Sequence, residues 1–237
     1  ITDKTKLIIF SSPSNPTGSV YTTEELKALA HVVLRHPGVY VLADEIYEYI
    51  NFDTPPASIA SFEGMKERCI VVNGMSKGFA MTGWRLGYMA SPAWIADACA
   101  KVQGQFTSGA NAFGQMAAAK ALSEPPSRQD YMREKYLSRK ALVKQLLDEI
   151  PGIRTNDPSG AFYFFPDITE LFGRSNGERT IRDANDFIDI MLEEAHVAAV
   201  SGTAFGDPNC FRLSYATSEA ELEEALKRMK EVLENYK

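Results

Sequence analysis

Short runs of apolar residues, each followed by small or polar residues, recur through the N-terminal part of the chain. Runs at residues 6–10, 39–43 and 69–72 predict buried strands, and residues 86–90 predict a fourth. Between the first two runs, Thr22 offers a capping side chain ahead of two glutamates, and apolar residues then keep helical spacing as far as Pro37. Strands that alternate with a helix indicate an α/β domain with a largely parallel sheet.

The pattern changes in the second half of the chain. Residues 127–150 predict a long amphipathic helix, whose apolar side includes Tyr131 and Leu137. The remaining sequence predicts a strand, a helix, a strand and a terminal helix, at residues 160–165, 183–195, 210–215 and 218–236 respectively. We therefore expect a large sheet domain over residues 1–130 and a smaller α+β domain over residues 131–237.

Composition and charge narrow the classes of partner. The chain has 237 residues, 45% hydrophobic and 24% charged, as in an ordinary globular protein. Its formal net charge of -6 argues against nucleic acid as a partner. No apolar stretch approaches the roughly 20 residues that cross a bilayer, so we expect no membrane partner and a cytoplasmic location. Cys69, Cys99 and Cys210 lack metal-ligand spacing, which predicts reduced thiols and no metal site.

Lys77 lies where a reactive amine is expected, in a loop of small residues that follows the run at 69–72. At the end of a buried strand, partial desolvation makes a lysine amine a usable nucleophile toward an aldehyde. Arg85 lies farther along the same stretch between Gly83 and Gly87, and its guanidinium suits a phosphate group. The aldehyde that enzymes bind in this way is pyridoxal 5′-phosphate, so the stretch predicts a site for that cofactor.

Further side chains match the chemical needs of the same cofactor. Asp44 follows the strand predicted at 39–43, and its carboxylate would keep the pyridine nitrogen protonated; a helix N-cap aspartate is the ordinary alternative. Tyr47 and Asn15 would donate to the phenolate oxygen, but a packed tyrosine and a turn asparagine before proline are common. Asn15, Asp44 and Lys77 each follow a predicted strand, so their loops are expected to converge.

Arg212 stands between apolar residues of the strand predicted at 210–215. A lone arginine in such a strand is costly to bury without an anion. A guanidinium also grips a carboxylate through two parallel hydrogen bonds. We therefore expect Arg212 to bind the α-carboxylate of an amino acid substrate.

Four motifs carry a resemblance to a known family. They are residues 74–87 around Lys77, Asn15-Pro16-Thr17-Gly18, Asp44-Glu45-Ile46-Tyr47 and Arg212-Leu213-Ser214-Tyr215, in the family's order and roughly its spacing. Together they resemble the class I pyridoxal-phosphate aminotransferases, and most closely the aspartate/prephenate branch. The resemblance implies the fold type I of pyridoxal-phosphate transferases, with a mostly parallel large domain, incomplete here, and a small C-terminal α+β domain.

The resemblance also assigns roles to residues. It implies that Lys77 is the Schiff-base lysine, Asp44 the pyridine-nitrogen partner and Arg212 the carboxylate clamp. Asn15 and Tyr47 would contact the phenolate oxygen, Asn15 would also touch the substrate, and Ser76 and Arg85 would contact the phosphate. A cis peptide bond at Asn15-Pro16 is implied as well. The reaction implied is transamination between an amino acid, aspartate or a related substrate, and a 2-oxo acid, in a homodimer with its active site at the subunit interface.

The chain begins at Ile1 without an initiator methionine, and family members are much longer on the N-terminal side. The expected missing part holds a phosphate cup, an aromatic residue that stacks on the cofactor and a tyrosine from the partner subunit. We therefore expect the 237-residue chain alone to be inactive and to bind pyridoxal phosphate weakly or not at all. Two alternatives remain open at this point. They are another pyridoxal-phosphate enzyme, such as a lyase or decarboxylase, and a transcription regulator with an aminotransferase-like domain.

Overall fold

The computed structural model describes residues 1–53 and 56–237, which divide into two compact units. Unit 1 consists of Ile1–Ser14 and Ser19–Arg133, and unit 2 consists of Asn15–Gly18 and Glu134–Lys237. The strands and longer helices in chain order are β1 (Leu7–Ser11), α1 (Thr23–Leu34), β2 (Tyr40–Asp44), β3 (Cys69–Gly74), β4 (Gly87–Ala90), α2 (Ala93–Phe106), α3 (Ala112–Leu122), α4 (Asp130–Asp148), β5 (Tyr163–Phe164), α5 (Ala184–Glu193), β6 (Val200–Ser201), β7 (Phe211–Ser214) and α6 (Glu219–Leu233).

Unit 1 is built on a four-stranded sheet in the order β1-β2-β3-β4. The first three strands are parallel, and β4 runs antiparallel to β3. Ser11 pairs with Asp44, and Asp44 pairs with Val72. The carboxyl ends of the three parallel strands therefore lie at one end of the sheet, where α/β proteins place their binding loops. The predicted largely parallel sheet is confirmed.

Two reciprocal hydrogen bonds between Thr22 and Glu25 cap the first turn of helix α1. The hydroxyl of Thr22 accepts a hydrogen bond from the N–H of Glu25 at 3.2 Å, and the Glu25 carboxylate accepts one from the N–H of Thr22 at 2.8 Å. This reciprocal pair is a capping box, and the sequence had predicted a capping residue at this position. The helix buries Leu26, Ala30 and Val33 in a core that also contains Val41, Ala43, Ile59, Met65 and Cys69.

Helices α2 and α3 were not predicted from the sequence. Their large apolar side chains do not line one buried face: Phe106 and Phe113 are both 86% exposed. Among the residues of these helices, only Ile95 and Gly114 are buried. A helix without a single apolar stripe lacks the periodic signal on which sequence-based prediction depends.

Helix α4 begins close to the predicted position, but two of the residues predicted for its apolar side are exposed. Tyr131 and Leu137 are exposed, and the buried residues of the helix are Val143 and Leu147. The assignment of Tyr131 and Leu137 to the apolar side was therefore wrong.

Unit 2 has an antiparallel three-stranded sheet in the order β5-β7-β6. Asp183 caps α5, and Ser218 and Glu221 form a capping box at the start of α6. Two buried tyrosines end in hydrogen bonds: the Tyr215 hydroxyl donates to the Ala161 carbonyl at 3.2 Å, and that of Tyr236 donates to Glu194 at 2.7 Å. The largest fully buried side chains of this unit are Phe164, Phe187, Phe211, Leu147, Ile150, Tyr215 and Tyr236. Nowhere in the two described segments is a helix long and apolar enough to cross a membrane.

Candidate active site

Asp44 is the last residue of β2 and is half-buried. Its Oδ1 accepts a hydrogen bond from the N–H of Ile46 at 3.1 Å, and its carbonyl accepts one from the N–H of Ser12 at 3.2 Å. The first contact is the local turn contact that an aspartate in a capping role makes. Among the described residues, Oδ2 accepts no hydrogen bond, so one carboxylate oxygen is available to a ligand.

Tyr47 follows Asp44 in a tight turn and is buried, with 4% of its surface exposed. The N–H of Glu48 donates to the Glu45 carbonyl at 2.9 Å, and the N–H of Ile50 donates to the Tyr47 carbonyl at 2.8 Å. These bonds hold the turn that carries Tyr47 directly beyond the carboxyl end of β2.

Lys77 lies three residues after the last residue of β3, in a loop closed by backbone hydrogen bonds. The Lys77 carbonyl accepts from the N–H of Ala80 at 3.1 Å, and the Met75 carbonyl accepts from the N–H of Met81 at 3.1 Å. Gly78 packs so closely that a Cβ there would lie 2.6 Å from the ring of Tyr49. Packing therefore requires a glycine at position 78, and Lys77 and Ser76 are half-buried.

Arg85 precedes β4 and is exposed. Its backbone is left-handed, with a φ of 56°, because it ends the short helical turn Thr82–Trp84. To described residues, its guanidinium donates one hydrogen bond, from Nη1 to the Thr82 carbonyl at 3.0 Å. Most of the donors of this side chain are thus available to an anion.

The sheet explains why these residues lie at the same end of unit 1. Strands β2 and β3 are parallel neighbours, so the loops that carry Asp44 and Lys77 leave the sheet at the same end. Strand β4 is antiparallel, and its first residue, Gly87, pairs with Gly74 at the end of β3. Arg85, two residues before β4, therefore lies at the end of the sheet where the Lys77 loop leaves β3.

Two acidic residues near Asp44 were not singled out by the sequence reasoning. Burial raises the pKa of Glu45, and the nearby charges of Glu48 and Asp44 raise it further, against a hydrogen bond from Ser58 that lowers it. Burial also raises the pKa of Glu48, opposed by a hydrogen bond from Asn73. Neither carboxylate stands out in the sequence, because the acidic run around the motif reads as a solvated turn.

Asn15 and Arg212 meet in unit 2, although they are far apart in the sequence. Nη1 of Arg212 donates a hydrogen bond to Oδ1 of Asn15 at 2.8 Å. The guanidinium carbon also lies 4.6 Å from the ring centroid of Tyr163 and 5.0 Å from that of Phe205. Sequence reasoning identified the arginine and the asparagine but missed both aromatic residues.

The segment that carries Asn15 is attached to unit 2 by several contacts. The Asn156 side chain donates to the Thr17 carbonyl at 2.8 Å and accepts from the N–H of Phe165 at 2.7 Å. The N–H of Gly160 donates to the Gly18 carbonyl at 2.9 Å. The Asn15-Pro16 peptide bond is cis, which confirms the implied geometry, and Ser12-Pro13 is also cis, which the sequence did not predict.

The donor set fits pyridoxal phosphate group by group. The loops at one end of the unit 1 sheet offer an amine for the aldehyde, a guanidinium for the phosphate and a carboxylate with one oxygen available for the pyridinium nitrogen. Unit 2 offers a guanidinium and an amide within hydrogen-bond distance of each other. Within the part of the chain that is described, no three His, Cys, Asp or Glu side chains are grouped to hold a metal ion.

The model of the family "Aminotransferase class I and II" matches residues 1–229. A bifunctional aspartate aminotransferase and glutamate/aspartate-prephenate aminotransferase from Petunia hybrida is 42% identical to the chain. That alignment covers 100% of this chain and 50% of the relative. This chain thus spans about half the length of that protein.

The similar solved structures are aminotransferases as well. The aspartate aminotransferase of Rhizobium meliloti superposes with a TM-score of 0.96 at 40% identity, over 100% of this chain and 60% of that one. An aromatic aminotransferase from Pyrococcus horikoshii superposes with a TM-score of 0.89 at 44% identity, over 99% of this chain and 61% of that one. The expected fold type I is confirmed.

Proposed function

The chain belongs to the class I and II aminotransferase family, whose cofactor is pyridoxal 5′-phosphate, and from this premise we propose that the protein transfers an amino group from an amino acid to a 2-oxo acid. The observation that carries the proposal is the arrangement of Asp44, Lys77 and Arg85 around the end of one sheet. The Asn15–Arg212 pair supplies a guanidinium, the group that binds a carboxylate substrate.

Five residues would hold the cofactor in unit 1. Lys77 would bind its aldehyde carbon, Arg85 and Ser76 its phosphate, Asp44 its pyridine nitrogen and Tyr47 its phenolate oxygen. When bound, pyridoxal phosphate supplies an electron sink for the pair of electrons left when the α-proton is removed. The Asp44 carboxylate favours the protonated ring nitrogen, because an adjacent negative charge stabilises a positive one.

The chain's own side chains would carry the proton and orient the substrate. Arg212 grips the α-carboxylate through paired N–H donors, and Asn15 fixes the orientation of the guanidinium. Besides holding the aldehyde carbon of the cofactor, the amine of Lys77 would act as the base that removes the proton from the α-carbon of the substrate. Holding the substrate in one orientation decides which of the bonds at the α-carbon is broken.

The names of the relatives suggest the substrate class. We propose aspartate or a related acidic amino acid as the donor, since the Petunia and Rhizobium proteins are named for aspartate. Aromatic amino acids are the second candidate, because the Pyrococcus protein, at 44% identity, is named for them. A homodimer with its active site at the subunit interface and a cytoplasmic location remain predictions.

An amino-donor panel on protein expressed from the complete gene tests this proposal. With 2-oxoglutarate as acceptor, we expect glutamate to form from aspartate or from an aromatic donor. Lys77→Ala should reduce turnover by several orders of magnitude, and Lys66→Ala, at an exposed lysine of unit 1, should not. Release of carbon dioxide, or of ammonia together with a 2-oxo acid, without amino transfer to the acceptor would instead support a decarboxylase or a lyase. Absence of every reaction, together with sequence-specific DNA binding, would support a regulator.

A further inference from the structure

The guanidinium of Arg212 lies over two aromatic rings. Its central carbon is 4.6 Å from the ring centroid of Tyr163 and 5.0 Å from that of Phe205. Both distances are within the roughly 6 Å over which the negative face of a ring attracts a cation. The rings belong to residues widely separated in sequence, one in β5 and the other in the turn Gly202–Phe205.

Both rings are held in place by the fold. Tyr163 is only 6% exposed and its strand pairs with β7, the strand that carries Arg212, through the register Tyr163–Ser214. The ring of Phe205 packs edge-on against Phe165, with centroids 6.0 Å apart and planes at 90°. The turn before Phe205 needs a glycine at 202, where a Cβ would lie 2.2 Å from the Asp207 carbonyl oxygen. The two rings are therefore part of a fixed frame rather than mobile neighbours.

The charge of Arg212 has no acidic partner within this frame. Of its contacts with described residues, one is a hydrogen bond, to Oδ1 of Asn15 at 2.8 Å, and none is an ion pair. Aromatic rings attract a cation without offering an oxygen acceptor, so they orient the guanidinium and leave its remaining N–H donors for an anion. A competing carboxylate at the same place would block a carboxylate substrate.

We propose that Tyr163 and Phe205 are positioning residues that fix the plane of the Arg212 guanidinium and thereby set the affinity for the carboxylate of the substrate. This role rests on the proposed transamination, in which Arg212 binds the α-carboxylate. A two-bond grip on a carboxylate needs a planar guanidinium in one orientation. Without a ring on which to lie, the side chain samples other orientations, and the paired hydrogen bonds form less often.

The test replaces each ring by an aliphatic side chain and compares it with a variant that keeps the ring. Phe205→Leu and Tyr163→Leu remove the aromatic face, and Phe205→Tyr and Tyr163→Phe retain it. Phe172→Leu is the matched control, at a half-buried phenylalanine of unit 2 outside the described contacts of Arg212. All variants are made in protein expressed from the complete gene and loaded with cofactor. Two quantities are measured, the kinetic constants with aspartate and the calorimetric Kd of maleate, an unreactive dicarboxylate.

We expect each leucine variant at 163 or 205 to raise KM and the Kd of maleate about tenfold, with kcat changed less than about threefold. The ring-retaining variants should recover most of the affinity, and Phe172→Leu should match the unmodified protein. Unchanged maleate binding in Phe205→Leu would overturn the proposal, as would an equal loss in Phe205→Tyr. Phe205 is half-buried, so its variants remain informative even where Tyr163→Leu fails to fold.

The outcomes separate this inference from the proposed function. Maleate binding that depends on the two rings, in a protein that transfers no amino group, would contradict transamination and support the positioning role. Transamination by the unmodified protein, together with leucine variants that bind maleate equally well, would support transamination and contradict the positioning role.

Discussion

Replacing Gly18 by alanine tests how the segment that carries Asn15 is held in unit 2. Gly18 has a φ of +68°, and a Cβ there would lie 2.4 Å from Cβ of Pro158 and 2.7 Å from the Gly160 carbonyl oxygen. A left-handed backbone costs a residue with a Cβ about 1–2 kcal/mol. The two close neighbours are a proline ring and a peptide group, which have no rotamer to escape into, so overpacking adds about 1–3 kcal/mol. We expect Gly18→Ala to lower the free energy of unfolding by about 2–5 kcal/mol.

Two glycines separate these contributions. Gly173 has a φ of +89° and no atom within 4 Å of an added Cβ, so Gly173→Ala should show the backbone cost alone, about 1–2 kcal/mol. Gly38 also has open space around an added Cβ and is not among the glycines with positive φ. Gly38→Ala should therefore leave the free energy of unfolding unchanged or raise it by up to about 1 kcal/mol.

Urea denaturation followed by circular dichroism, with the m-value fitted for each variant, provides the comparison. A Gly18→Ala variant that loses no more stability than Gly173→Ala would refute the close packing of Gly18 against residues 158–160. The functional counterpart is weaker carboxylate binding, because displacement of the segment would separate Asn15 from Arg212, which are now joined at 2.8 Å.

Three further outcomes are expected. Leu147→Ala, at a fully buried position of α4, should destabilise the fold by about 2–5 kcal/mol in urea denaturation, and Leu137→Ala, 45% exposed on the same helix, by less than about 1 kcal/mol. Iodoacetamide at about pH 8 should alkylate the exposed Cys99 far faster than Cys69 or Cys210, because burial raises the pKa of the Cys69 thiol to about 11 and that of the Cys210 thiol to about 12. Equal labelling of the three cysteines in mass spectrometry would contradict this. Burial raises the pKa of Glu48 in the fold, so the folded state holds that proton more tightly than the unfolded state and stability falls as pH rises through the usual glutamate range. The urea midpoint of Glu48→Gln, compared with that of the unmodified chain at the same pH, should therefore rise between about pH 4 and about pH 7. An unchanged difference between the two midpoints over this range would show that the Glu48 carboxyl is not desolvated.

The strands and the first helix of unit 1 were predictable because their signals are local. Strands β1, β2 and β3 each correspond to an apolar run, although β1 is not buried as predicted, since Leu7 and Ile9 are exposed. The first helix was indicated by a capping residue followed by acidic residues. Helices α2 and α3 gave no such signal, since Phe106 and Phe113 point away from any core of unit 1 and the remaining residues are mostly small or polar. Tyr131 and Leu137 of α4 were assigned to the apolar face for a related reason, and both are exposed. Hydrophobic spacing shows which residues share a face but not which face is covered.

In the candidate site, some residues could likewise be predicted from the sequence and others could not. Lys77, Asp44 and Arg85 were identified because the chemistry of one cofactor calls for an amine, a carboxylate and a guanidinium near the ends of strands. They lie at one end of the unit 1 sheet because of its strand order. The alternation of strands with a helix in the sequence had predicted such a parallel sheet. The rings of Tyr163 and Phe205 were missed, because only the pairing of β5 with β7 and a turn fixed by Gly202 bring them to Arg212. An aromatic residue in an apolar run carries no mark of such a role.

The assignment of Lys77 as the anchor of the cofactor is tested most directly by borohydride reduction of the cofactor-loaded protein, expressed from its complete gene, followed by peptide mapping. Reduction makes the link between amine and cofactor permanent, so mass spectrometry reads its position. We predict a single phosphopyridoxyl group on the peptide that contains Lys77, and none in Lys77→Ala. A label on a different lysine, or a Lys77→Ala variant that is still labelled and still transaminates at a near-normal rate, would contradict the assignment.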